Sequence, residues 1–378
     1  MRLLYVASGH PLQEADDCLM WEKLDIDWFS TGYYAFDNQP GDLPLIENHR
    51  IIDSQPELLS LVNKQRSEFH NIDRPNTPTG TKNKLFSGTH AKNLWFFTQE
   101  FVDEFDVIFF NHFVGNVVNN WNVIKDKHVV LKTYSMHQTQ EEPIINKYRQ
   151  NGLRVVRNSP KEHLRVPIHK KIQARVYRQI FGGVDAVIRG SVVKDEHEVS
   201  GWTGKNKEVV TFCNYLLPSS TADALGRRRF NLYKQVVDGV KESCNVYGVG
   251  NGPDSFISHK EKIKILQDSR VSLIVGTPNS NNTYAMVEAW IMGLPIVAFG
   301  PHIWQSNCAE IHELIDNGVT GFYSDKIEEL QEYIKLLMDD HELAKKISKA
   351  GRERALEVYG REALSWKWAK FFMNGVLT

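Results

Sequence analysis

Along the chain, short apolar runs alternate with longer stretches whose apolar residues recur every three or four positions, the pattern of parallel strands covered by helices. Leu3 to Ala7, Val107 to Phe110, Val129 to Thr133 and Val184 to Arg189 predict strands in the first half. Val209 to Phe212, Ser243 to Tyr247, Val271 to Gly276 and Ile296 to Phe299 do so in the second. Near the carboxyl end, Ile327, Leu330, Ile334, Leu337 and Met338 share one helical face, as do Leu343, Ile347 and Ala350. The segment from Arg361 to Phe372 carries Leu364, Trp366, Trp368, Phe371 and Phe372, an aromatic load that demands packing against another part of the chain. By contrast, Gly41 to Thr89 scatters Pro44, Pro56, Pro75 and Pro78 among polar residues and predicts loop.

A chain of 378 residues fits about two domains, and the polar, Gly-rich stretch Gly201 to Lys207 separates two strand–helix series. The expected division is residues 1–200 together with a terminal helix at 361–378, and residues 201–360. The apolar runs fall far short of the roughly 20 residues of a membrane span, and the first is too short for a signal-peptide core, so a cytoplasmic protein is expected. Cys18, Cys213, Cys244 and Cys308 show no C-x-x-C pairing and read as buried thiols rather than a zinc site or disulfide framework. With 45 basic and 46 acidic residues the net charge is -1, so any attraction to a polyanion must be local.

The stretch from Thr277 to Val297 reads as polar loop, helix, Gly293 stop and strand, with Asn281, Asn282 and Thr283 available to cap the helix and Tyr284 opening it. Free backbone N–H groups and the dipole at a helix start favour phosphate. One turn in, the Glu288 carboxylate can accept two hydrogen bonds from a vicinal diol such as a ribose, or simply bond a neighbouring loop. The first alternative describes a sugar-nucleotide site.

Glu288-Ala289-x-x-x-Gly293-x-Pro295-Ile296-Val297, with Glu310-Ile311-x-x-Leu314-Ile315-x-Asn317-Gly318-Val319-Thr320-Gly321-Phe322, resembles the donor-binding half of retaining glycosyltransferases of family 4. The resemblance is specific over roughly the last 110 residues and continues collinearly upstream. There, Asp106 to His112 is similar to the family's strand ending in a His, Val130 to His137 to the next strand and its His, and Val209 to Asn214 to the entry into the second domain. It implies an α/β, GT-B fold, two Rossmann-like domains with parallel sheets facing across a cleft, the first on the acceptor side and the second binding the nucleotide sugar. It also implies no tightly bound cofactor, a nucleotide-sugar donor such as UDP-glucose, and transfer of a hexose with retention. Glu288 would then hold the ribose and His112 would orient sugar or acceptor.

The sequence departs from the family at two places. Where the family has the first Glu of Glu-x7-Glu, this chain has Ser280, which keeps a hydroxyl without a charge. The family's Gly-Arg and Lys diphosphate clamp is not recognisable after Asn214; Arg227, Arg228, Arg229 and Lys234 are the nearest basic residues, of which Arg229 and Lys234 are the candidates for phosphate. The first glycine loop is reduced to Ser8-Gly9-His10-Pro11, with Gly9 as a border for donor phosphates, and Gly248 to Gly252 lacks a dinucleotide fingerprint, leaving Gly250 as a border for the base. Asp25-Ile26-Asp27 is assigned to surface chemistry, not to a metal.

Between residues 147 and 178, ten basic residues face one acid, Glu162, a local +9. Such an excess is a footprint for a polyanion or a solvated face. Arg154, Arg157, Lys171 and Arg175 are its acceptor-side candidates beside His137. Ile168, Ile172, Val176 and Ile180 recur every four residues, so Lys171 and Arg175 fall on the opposite side of that helix. No Trp or Phe interleaves these charges before Phe181, which favours nucleic acid over an anionic lipid surface. The acceptor expectation is therefore a 5-hydroxymethylpyrimidine in DNA, as for phage-type DNA glucosyltransferases. The alternatives are synthesis of surface polysaccharide or glycolipid, and a non-catalytic nucleotide-sugar-binding protein on a transferase scaffold.

Overall fold

The computed structural model describes residues 1–6, 11–21, 24, 26–31, 50–52, 55–69, 96–133, 141–160, 162, 181–191, 199–217, 224–255, 257–276, 283–303 and 310–374. The chain divides into two compact units, one of Met1–His163, Gln173–Val193 and Leu364–Thr378, the other of Leu164–Ile172 and Lys194–Ala363.

The first unit holds a seven-stranded sheet of β1 (Arg2–Val6), β2 (Asp27–Ser30), β3 (Arg50–Ile51), β4 (Val107–Asn111), β5 (His128–Thr133), β6 (Arg154–Arg157) and β7 (Ala186–Val187). Its order is β3-β2-β1-β4-β5-β6-β7, and every pairing is parallel. A parallel sheet is covered on both faces, so its strands read as apolar runs. In β1, Leu3 and Tyr5 join one core with Trp21, Phe109 and Trp368, while Leu4 and Val6 join another with Phe101, Phe110 and Val117. The terminal helix Arg361–Met373 supplies Leu364, Trp368, Phe371 and Phe372 to the first of these cores, with Trp368 edge-on to Trp21 at 5.4 Å and to Phe109 at 5.6 Å. Trp366, by contrast, is 69% exposed.

The second unit holds β8 (Asn206–Phe212), β9 (Ser243–Tyr247), β10 (Ser269–Ile274), β11 (Ile296–Phe299) and β12 (Phe322–Ser324) in the parallel order β12-β11-β10-β8-β9. The helix Ile327–Asp339 buries Leu330, Ile334, Leu337 and Met338, the face its periodicity predicts. The helix His341–Tyr359 instead buries Ala344, Ile347, Gly351, Ala355 and Tyr359. Its inner face is rotated from the expected one because small residues let it approach closely: a Cβ on Gly351 would lie 2.7 Å from the Thr320 carbonyl oxygen and 2.8 Å from Trp290 Nε1.

Strands β2, β3, β6 and β12 have no counterpart among the predicted runs. Asp27 of the Asp25-Ile26-Asp27 pattern opens β2, and Asp25 lies outside the described residues. In both sheets the chain builds strands first to one side and then to the other, so the order reverses between β1 and β4 and between β8 and β10. At such a reversal the connections leave in opposite directions and open a crevice at the carboxyl ends of the strands, where ligands bind in open α/β sheets.

Candidate functional site

In the second unit the reversal is bordered by the turn after β8, by the turn after β9 and by the helix Tyr284–Met292 that follows β10. The two turns are laced together. The Val249 N–H donates to Asn214 Oδ1 at 2.9 Å, and the Tyr215 N–H donates to the Val249 carbonyl at 2.8 Å. Asn251 uses its whole amide: Nδ2 donates to the carbonyls of Cys213 and Gly248 at 2.7 and 2.9 Å, and Oδ1 accepts from Leu216 and Leu217 N–H at 2.8 and 2.9 Å. Gly250 sits at φ 82°, and a Cβ there would lie 2.2 Å from the Tyr215 ring, so the turn admits only glycine. Tyr215 itself has φ 52° and is 63% exposed. The result is a fixed backbone rim with an aromatic at its edge.

Thr283 caps the helix Tyr284–Met292, its hydroxyl accepting from the Met286 N–H at 3.3 Å, and Gly293 ends it at φ 88°. Glu288 lies on the second turn, its side chain 20% exposed. Its Oε2 accepts from Nζ of Lys262, which reaches across from the helix His259–Asp268 and stands 5.8 Å above the Phe212 ring. Phe212 and Tyr247, the last residues of β8 and β9, stack at 5.3 Å. Burial, and secondarily the Glu208 carboxylate, push the Tyr247 hydroxyl above its ordinary pKa, so it stays a neutral donor.

Asn214 and Gly250 thus meet in one rim, and Arg229 joins it from beneath. Arg229 is buried, its Nη2 donates to the Asn214 and Tyr215 carbonyls at 3.2 and 3.0 Å, and its Nε is enclosed without a hydrogen-bond acceptor. It holds the rim from the protein side rather than presenting a charge to solvent. Lys234 does not reach the rim: it is exposed and pairs with Asp238 one turn along its own helix at 2.5 Å. Lys262 and Asn251 escaped the sequence reading. Asn251 had a signal, an Asn between glycines in a post-strand turn; Lys262 had none among the neighbouring Lys260 and Lys264.

In the first unit His112 stands at the end of β4, at the order reversal, in a left-handed conformation of φ 72°. Its N–H donates to the Lys132 carbonyl at 2.8 Å. Around it the polar groups close on one another. Lys132 Nζ pairs with Asp17 Oδ1, Tyr5 Oη donates to Asp17 Oδ2 at 3.2 Å, and Asn111 Nδ2 donates to Tyr5 Oη, all with buried side chains.

One basic acceptor-side candidate, Arg157, is internal, which corrects its assignment to a polyanion surface, and a second, Arg154, is half-buried. Arg157 is fully buried at the end of β6, paired with Glu142 at 2.9 Å and Glu162 at 3.3 Å and stacked under Phe181 at 4.5 Å. Arg154 begins β6, at the opposite edge of the sheet from His112, with its guanidinium 5.2 Å over Phe371. Arg149 pairs with Asp185 at 2.8 Å. The +9 overstates the local field because Glu142 and Asp185, just outside the counted window, answer charges within it. Gly9, His137, Lys171, Arg175, Ser280, Asn281 and Asn282 lie outside the described residues. Among those described, no group of three or more His, Cys, Asp or Glu side chains converges as a metal site, and no helix is long and apolar enough to cross a membrane.

No family model and no curated protein matches the sequence. Solved structures do match over essentially the whole chain. HepE of Anabaena in complex with UDP-glucose aligns with TM-score 0.58 at 13% identity, covering 99% of this chain and 100% of that one. Sucrose-phosphate synthase of Thermosynechococcus elongatus aligns with TM-score 0.58 at 10% identity, covering 99% and 98%. The two parallel sheets and these full-length matches decide the architecture. The fold is GT-B. A glycosyltransferase from Rickettsia africae also aligns, with TM-score 0.55 at 13% identity over 100% of this chain and 98% of its own.

Proposed function

We propose that the protein is a nucleotide-sugar-dependent glycosyltransferase that moves a hexose, glucose from UDP-glucose in the first instance, to an acceptor hydroxyl with retention of configuration. The observation that carries the reading is Glu288. A carboxylate kept within reach of water stands on the helix leaving the order reversal of a GT-B sheet, beside a rim of fixed backbone groups and two stacked rings. Full-length likeness to HepE holding UDP-glucose supports the donor class.

In this mechanism the first unit serves the acceptor and the second the donor. Glu288 accepts the two ribose hydroxyls, and the Asn214–Gly250 rim borders the nucleotide. Backbone N–H groups at the start of the helix Tyr284–Met292 stabilise the negative charge that develops on the diphosphate as the anomeric C–O bond breaks. The acceptor oxygen forms the new bond on the face the diphosphate leaves, and a diphosphate oxygen takes the acceptor's proton. His112 orients sugar or acceptor.

For the acceptor we retain a 5-hydroxymethylpyrimidine in DNA, supported by the basic residues between 161 and 178, Lys171 and Arg175 included. The experiment is a donor-by-acceptor screen. UDP-, GDP- and ADP-sugars are offered to hydroxymethylated DNA, unmodified DNA and a glycolipid extract, read by mass spectrometry, with the anomeric outcome by NMR. A hexose-sized gain on the hydroxymethylated DNA alone upholds donor and acceptor. A gain on the extract alone keeps the transferase and removes DNA. Nucleotide-sugar binding with no turnover on any acceptor removes the enzyme.

A further inference from the structure

The proposed function uses Glu288 and leaves its partner unexplained. Lys262 comes from the helix His259–Asp268, before β10, while Glu288 lies on the helix after it; the pair bridges two neighbouring helices at the carboxyl edge of the sheet. Neither group is sequestered, with side chains 24% and 20% exposed, and the ammonium also rests over Phe212 at 5.8 Å. A pair this accessible contributes little to stability, since solvent screens it and two long side chains lose freedom to form it. A structural tie is thus a poor reason for an ammonium here.

The geometry points to Lys262 as a positioning and specificity-determining residue that fixes the Glu288 carboxylate for a ribose cis-diol. This rests on the reading of Glu288 as the ribose-binding group. A carboxylate offers about four lone-pair directions on two oxygens. Lys262 occupies one of them, on Oε2, through a charge-assisted bond. That bond biases the carboxylate plane toward one orientation and leaves both directions of Oε1 and one of Oε2 for incoming donors. Two adjacent hydroxyls take one direction on each oxygen, with solvent on the third; a single hydroxyl leaves one oxygen without a sugar donor on a carboxylate biased against turning to compensate. A carboxylate released from Lys262 rotates, hydrates and takes one hydroxyl nearly as well as two. Lys262 therefore sets the preference of the site for ribonucleotides over deoxyribonucleotides by restricting Glu288, without itself touching the sugar.

The test is equilibrium binding of UDP, ADP and GDP, each beside its 2′-deoxy counterpart, to the full chain and to Lys262→Met, Lys262→Arg and Glu288→Gln, with thermal midpoints recorded for all. The wild type should prefer the ribonucleotide by about tenfold or more, the penalty for a polar group left unpaired. Lys262→Met should reduce that ratio to about threefold or less, Glu288→Gln should do the same, and Lys262→Arg should keep most of it, all with unchanged midpoints. An undiminished ratio in Lys262→Met, or equal weakening of both nucleotides, overturns the role of Lys262 and leaves that of Glu288 standing. A wild type that binds no nucleotide, or a Glu288→Gln that keeps the full ratio, overturns the reading of the site itself.

Discussion

The carboxyl edges of the two sheets treat charge in opposite ways. In the first unit Lys132 with Asp17, and Arg157 with Glu142 and Glu162, are dry and closed on each other. In the second, Lys262 and Glu288 meet at the same kind of edge but remain within reach of solvent. Removing ions from water costs several kcal/mol each and demands a full set of partners, so the first arrangement ties the structure to one packing. The second costs little and leaves lone pairs available for a ligand. Ion pairing thus fixes the frame at one edge and keeps a carboxylate poised at the other.

The contrast breaks most readily at Arg157. Arg157→Met takes the guanidinium from two buried carboxylates and should lower stability by about 4 kcal/mol in urea unfolding, within the range for a broken buried pair. Lys132→Met should cost about 3 kcal/mol, and Lys132→Met with Asp17→Leu should recover most of it, because two apolar groups leave no charge without its counter-ion. A double variant no better than the single one would show that Tyr5 and Asn111, not the ion pair, set the energy of that cluster. Asn251→Ala removes four hydrogen bonds from the rim and should cost about 2 kcal/mol while weakening nucleotide binding severalfold, measured by calorimetry. At the lower end, Lys234→Ala should change stability by less than about 0.5 kcal/mol and leave nucleotide affinity untouched, since an exposed pair within one helix is worth little.

The same contrast explains what could be read from the sequence. Strands β4 and β11 announce themselves because both faces are covered and almost every position is apolar, and β5 and β10 through the apolar residues Val129 to Leu131 and Leu273 and Ile274 within them. Strand β6, Arg-Val-Val-Arg, does not: its flanking arginines look like surface until Phe371 and the distant Glu142 are seen to receive them. Lys132 carried a faint signal as the lone charge in an apolar strand, but nothing local names Asp17 as its partner. At the candidate site, Glu288 stood out through its spacing to Gly293 and Pro295, whereas Lys262 becomes visible only when two helices lie side by side.

The terminal helix has a consequence for synthesis. Trp21, Tyr5 and Phe109 lie early in the chain, yet Leu364, Trp368, Phe371 and Phe372 complete their core. During translation the early strands must therefore wait through the whole second unit before their last wall arrives. Lys194–Ala363 can consolidate while still tethered, whereas the first unit carries an uncovered aromatic surface until residue 372 clears the ribosome tunnel. A nascent chain halted before Leu364 should bind a hydrophobic dye or a holdase chaperone through that surface, and one released after Met373 should not.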